Sequence, residues 1–84
     1  MQKKDYDNLT RVTENYILEC MGRLLDPYVD NEENFLERAC AALDLWYRIA
    51  KDGKVQEKVL DADCIRLSAF VWENTSAKDI QEQT

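Results

Sequence analysis

FLERACAALDLWYRIAKDG, residues 35–53, is the stretch that decides the fold. Phe35, Leu36, Ala39, Cys40, Leu43, Trp46, Tyr47 and Ala50 recur at intervals of three and four, the spacing that stacks side chains on one face of an α-helix. A second stripe, Ala42, Leu45 and Ile49, widens the apolar arc beyond what one neighbouring helix covers. Upstream, Asp30 reads as an N-cap with Glu33 three residues on, and Glu32 and Glu33 complement the positive end of the helix dipole. Downstream, Lys51 supplies a cation to the last turn and Gly53 suits a left-handed cap. The pattern predicts a helix over 31–51.

On the N-terminal side, Leu9, Val12, Tyr16, Ile17, Cys20, Met21, Leu24 and Leu25 make a second helical stripe, opposed by Arg11, Glu14, Glu19 and Arg23. This predicts a first helix over 6–25, ended by Asp26-Pro27 because proline cannot continue the hydrogen-bond ladder. Gly22 falls inside that helix, and a close helix crossing there is the expected reason. A connection over 26–30 leads to the second helix.

On the C-terminal side, the spacing predicts a third helix over 54–73 after a connection at 52–53, with Val55, Val59 and Leu60 facing inward. A fresh start capped by Asp61 is the alternative. Cys64 to Trp72 is apolar nearly all round and belongs either to the centre of a bundle or to an interface. From Asn74 the chain turns polar; Ser76 with Asp79 suits a short fourth turn, and 77–84 read as a disordered tail. The expectation is one all-α domain over 1–84, a small bundle of three principal helices. Its expected core is Leu9, Val12, Tyr16, Cys20, Leu24, Phe35, Ala39, Leu43, Trp46, Leu60, Cys64, Leu67 and Val71.

Composition bounds the function. Two glycines and one proline in 84 residues leave few turns, so long helices dominate. An apolar fraction of 45% with two tryptophans and four tyrosines excludes a disordered acidic tail. Net charge is −6, with residues 1–28, 29–53 and 54–84 summing to −1, −3 and −2, so the acids form no single block. No basic stripe emerges on any helix, which argues against direct nucleic-acid binding. Three cysteines, Cys20, Cys40 and Cys64, fall at helix-core positions. Their odd number and the lack of a signal-like N-terminus point to reduced, packed thiols in the cytoplasm. Asn8-Leu9-Thr10 and Asn74-Thr75-Ser76 are then chance matches to a glycosylation pattern. No apolar run of membrane-spanning length occurs.

The chain has no histidine, the side chain most used for acid–base and metal chemistry. No motif sets a base beside Ser68 or a cysteine, and two isolated glycines form no phosphate loop. Glu33 and Glu37, one turn apart, read as solvated surface charges. Asp26, Asp30, Glu32, Glu33 and Glu37 crowd one loop without the glycine or alternation of an EF-hand. The expectation is no enzyme, no cofactor and no metal.

What remains is binding. The acids of 26–37 with Tyr28 among them suit a basic protein partner, giving Asp26, Tyr28, Asp30, Glu32, Glu33 and Glu37 as the expected partner-binding residues. Ala42, Leu45 and Ile49, with Ile65, Ala69 and Trp72, are surplus apolar surface suited to a homodimer. The leading expectation is a protein-binding module that inhibits or regulates a larger basic partner. In size, charge and composition, though in no motif, the chain is similar to immunity proteins, phage host-takeover and anti-defence proteins, and antitoxins. The alternatives are a homo-oligomeric assembly subunit and a helical bundle holding a small ligand between its helices.

Overall fold

Trp46 is the largest fully buried side chain, 1% exposed, and its indole N–H has to find an acceptor inside the protein. In the computed structural model the backbone is described for residues 1–26, 28 and 34–83, and side chains up to Glu73. The helices are α1 (Lys3–Leu24), α2 (Phe35–Asp52) and α3 (Glu57–Gln83), and no strand occurs among the described residues. The expected all-α bundle of three principal helices is what forms. None of these helices is long and apolar enough to cross a membrane.

Cross-helix contacts fix the directions. Trp46 Nε1 donates to Thr10 Oγ1 at 2.9 Å, while Arg23 lies 5.8 Å from the Phe35 ring centre, so α1 and α2 run antiparallel. The Tyr6 hydroxyl donates to Asp63 Oδ2 at 2.5 Å and Arg66 Nη1 donates to Glu14 Oε1 at 2.6 Å, so α3 ascends beside α1. The interior holds Tyr6, Ile17, Cys20 and Met21 from α1, Phe35, Ala39, Trp46 and Ala50 from α2, and Leu60, Leu67 and Val71 from α3. Leu9, Leu24, Leu43 and Cys64 pack against that cluster from half-buried positions.

The face that α1 turns inward differs from expectation. Val12 and Tyr16 are 56% and 42% exposed, whereas Thr10 and Thr13 are buried. Sequence pattern favours the more apolar stripe, but Tyr6, Thr10, Thr13, Ile17, Cys20 and Leu24 carry the same helical spacing. Threonine enters a core at little cost once its hydroxyl is bonded. Thr13 Oγ1 donates to the Leu9 carbonyl at 2.8 Å and Thr10 accepts from Trp46. No buried side-chain nitrogen or oxygen among the described residues is left without a partner.

Helix ends also depart from the pattern. α2 begins at Phe35, capped by Asn34, whose side chain accepts from Glu37 N at 3.4 Å; Asp30, Glu32 and Glu33 lie outside the described residues. Its C-terminus is a Schellman closure: Val55 N reaches the Ala50 carbonyl at 3.2 Å and Lys54 N the Lys51 carbonyl at 3.1 Å. The left-handed residue there is Lys54, φ 62°, and not Gly53, φ −76°. Gly53 is needed for space, since a Cβ would sit 2.8 Å from Met1 Cβ. Gly22 has no such reason: a Cβ there meets nothing within 4 Å, so the expected close crossing is absent.

α3 starts at Glu57 rather than 54 and passes Asp61 without a break, because Asp61 and Ala62 simply take outward positions. It runs unbroken to Gln83, so Ser76 and Asp79 cap no separate turn. Val59, expected inside, is 41% exposed.

Urea denaturation of three variants checks these assignments. Leu67→Ala, fully buried, should lose about 2–5 kcal/mol. Val12→Ala should change the stability of the single chain, measured at high dilution, by less than about 0.5 kcal/mol, as expected of an exposed side chain. Gly22→Ala should gain about 0.5–1 kcal/mol by replacing an open helix-interior glycine. A loss at Val12 equal to that at Leu67 would return Val12 to the core.

Candidate functional site

The inward turn of Thr10 and Thr13 leaves the apolar side of α1 facing out, beside the surplus stripe of α2. Leu9, Val12 and Tyr16 from α1 and Ala41, Ala42, Leu45 and Ile49 from α2 wall a groove of about 440 Å³, floored by Thr13 and Trp46. Arg38 stands at one end of it. No described α3 side chain lines the groove, which opens between α1 and α2. Leu45 is 58% and Ile49 38% exposed along its rim. The Cys20 thiol, bonded to the Tyr16 hydroxyl, holds that phenol above its usual pKa.

The expected interface residues therefore divide. Ala42, Leu45 and Ile49 belong to the groove, while Ile65 and Trp72 are exposed on α3 with Ala69 half-buried between them. These two stripes do not form one surface.

Of the expected partner-binding residues, Asp26, Tyr28 and Glu37 are described and all are exposed at the α1–α2 junction. The Tyr28 side chain is almost wholly in solvent, and its backbone N–H donates to Asp26 Oδ1 at 2.9 Å, a local Asx turn. Asp30, Glu32 and Glu33 fall outside the described residues. The junction carries cations as well as acids. Arg23 and Arg38 both lie over the Phe35 ring, at 5.8 and 5.6 Å from its centre, and Arg23 also bridges to Glu19 at 3.0 Å. Arginine above an aromatic face is held by attraction to the ring's electron-rich surface.

A second cleft, about 420 Å³, lies between the start of α1 and the start of α3, lined by Lys3, Tyr6, Asp7, Lys54, Val59 and Asp63 among others. Burial, and then the bond to Asp63, push the Tyr6 phenol up to about 12, so Tyr6 is a neutral donor there at ordinary pH. No cluster of three or more histidine, cysteine, aspartate or glutamate side chains able to hold a metal occurs among the described residues.

Leu9, Val12 and Tyr16 as groove walls were missed in the sequence because they were assigned to the core. The signal for the alternative is the parallel stripe through Tyr6, Thr10, Thr13 and Ile17, which its two threonines make the less apolar of the two. No family model, curated protein or solved structure matches the chain.

The cysteines are not equivalent: Cys20 is buried, while Cys40 and Cys64 are half-buried. Labelling with a thiol-reactive disulfide in native buffer should modify Cys40 and Cys64 slowly and leave Cys20 silent until denaturant is added. Immediate reaction of Cys20 would contradict its position beneath Tyr16.

Proposed function

We propose that this chain is a non-enzymatic protein-binding module that contacts a basic protein through the α1–α2 junction, with Asp26, Tyr28 and Glu37 among the contacting residues. The observation carrying this reading is Tyr28, 95% exposed on a turn braced by Asp26. A tyrosine gives a large contact area for little lost side-chain freedom, and buried aromatic anchors supply much of the energy of protein interfaces. The net charge of −6 favours encounter with a basic surface. A chain without histidine that is built as a helical scaffold with exposed apolar faces fits binding better than catalysis. Inhibition or regulation of that partner is the role such a module would serve. A homo-oligomeric subunit is a second reading, favoured by the apolar groove between α1 and α2.

Capture from a cell lysate on immobilised protein, analysed by mass spectrometry, tests the proposal. A stoichiometric basic partner should bind, more weakly as salt rises. Tyr28→Ala or Asp26→Lys should weaken its binding by about tenfold or more, while Ile65→Glu, remote on α3, should leave it intact. Capture that is unaffected by changes at Asp26, Tyr28 and Glu37 would remove the junction from the interface.

A further inference from the structure

The outward stripe of α2 continues beyond its apolar part at both ends. Arg38, Ala42, Leu45, Ile49 and Asp52 follow one another at intervals of four, three, four and three residues, the repeat of a helix–helix seam. The seam is basic at its start and acidic at its finish, and Leu45 stands midway, seven residues from each charge. Asp5 extends the α1 wall in the same manner, one turn before Leu9, and lies at the Asp52 end because α1 and α2 are antiparallel. The groove is thus apolar along its length with Arg38 at one end; by helical register Asp5 and Asp52 follow one turn beyond its other end, Asp52 also bordering a cleft with Asp44, Tyr47, Arg48 and Lys51.

One partner matches that arrangement through its own composition: a second copy turned through 180° about an axis passing by Leu45. We propose that the groove is a two-fold dimer interface in which α2 lies antiparallel to α2 of a second copy. Leu45 packs on its own counterpart, Ile49 packs on Ala42, and Arg38 meets Asp52 across the axis at both ends. Rotation by 180° is the operation that exchanges the two ends of the seam, so each basic end falls over an acidic one. A copy laid parallel would set arginine against arginine and aspartate against aspartate. The Arg38 guanidinium lies over the Phe35 ring, which keeps its charge at that end of the seam. The antiparallel pair joins α1 and α2 of each copy into a four-helix layer, which supplies the apolar cover that Val12, Tyr16, Leu45 and Ile49 lack in the single chain. The α3 stripe and the Asp26–Tyr28 turn stay outside this contact, whereas Arg38 stands at both the groove end and the junction; Leu45→Glu therefore tests this proposal and Tyr28→Ala the junction reading, each without touching the other.

Sedimentation equilibrium at 1–100 µM, on the order of concentrations where modest interfaces form, tests the pairing through charge reversal. The unmodified protein should dimerise. Arg38→Asp and Asp52→Arg should each weaken the dimer by about tenfold or more, because each sets like charges across the axis. Both substitutions lie on the surface, and circular dichroism should report unchanged helicity. An equimolar mixture of the two variants should regain the dimer, since every cross-axis pair is then opposite in sign. Leu45→Glu should abolish association and Ile65→Glu should not. A monomer throughout the range would overturn the proposal, as would a dimer sensitive to Ile65→Glu but not to Leu45→Glu. Failure of the mixture to recover association would overturn the antiparallel register. Occupation of the groove by a foreign helix would appear as a Leu45→Glu-sensitive complex formed by a protein that is itself monomeric, and that outcome too would reject a second copy.

Discussion

The hydrogen bond from Trp46 Nε1 to Thr10 Oγ1 is the contact on which the arrangement of this bundle turns. Burying the indole contributes more apolar area than any other side chain here can, but only if its N–H keeps an acceptor. α1 supplies that acceptor from a threonine, and the tilted Tyr6 ring, 6.3 Å from the indole centre, packs on the same side. Leaving a buried N–H unsatisfied costs about 1–3 kcal/mol, comparable with the difference in burial between two candidate faces of one helix. The polar requirement of one large side chain on α2 thereby selects which face of α1 is the inner one.

The groove follows from this choice. Rotating α1 to bury Thr10 and Thr13 puts Leu9, Val12 and Tyr16 at the outer edge, where the surplus stripe of α2 already lies. Two half-exposed stripes from antiparallel neighbours then make one apolar channel with Arg38 at one end. Had Val12 and Tyr16 gone inside, α2 alone would carry surplus apolar surface and no groove would exist. Core polarity and surface shape are therefore linked through a single helix rotation.

Much of the fold was legible in the sequence for a clear reason. In α2 and α3 the apolar positions are numerous and unbroken, so the core residues Phe35, Ala39, Trp46, Leu60, Leu67 and Val71 are read correctly from spacing. In α1 the stripe places Ile17, Cys20 and Met21 correctly in the core, but hydrophobicity favours Val12 and Tyr16 over Thr10 and Thr13 because it does not see that the threonine hydroxyls are satisfied. The end of α2 illustrates a similar limit. Glycine marks the closure, yet the left-handed residue is Lys54, at a cost of about 1 kcal/mol, while Gly53 occupies a place where a Cβ would crowd Met1. The exposed stripes at Leu45, Ile49, Ile65 and Trp72 were legible as surplus. That they face different directions was not, since this depends on how the three helices are arranged around one another.

The most direct measurement of the central claim is amide-type hydrogen exchange at the two indole N–H groups, resolved by NMR. Trp72 is half exposed and serves as the internal reference, while Trp46 is buried and bonded to Thr10. The Trp46 indole should exchange at least about a hundredfold more slowly than that of Trp72, and Thr10→Ala should erase most of the difference while α-helical content persists. Equal exchange at the two tryptophans in the unmodified protein would contradict the account, because nothing would then hold the threonine face of α1 toward α2.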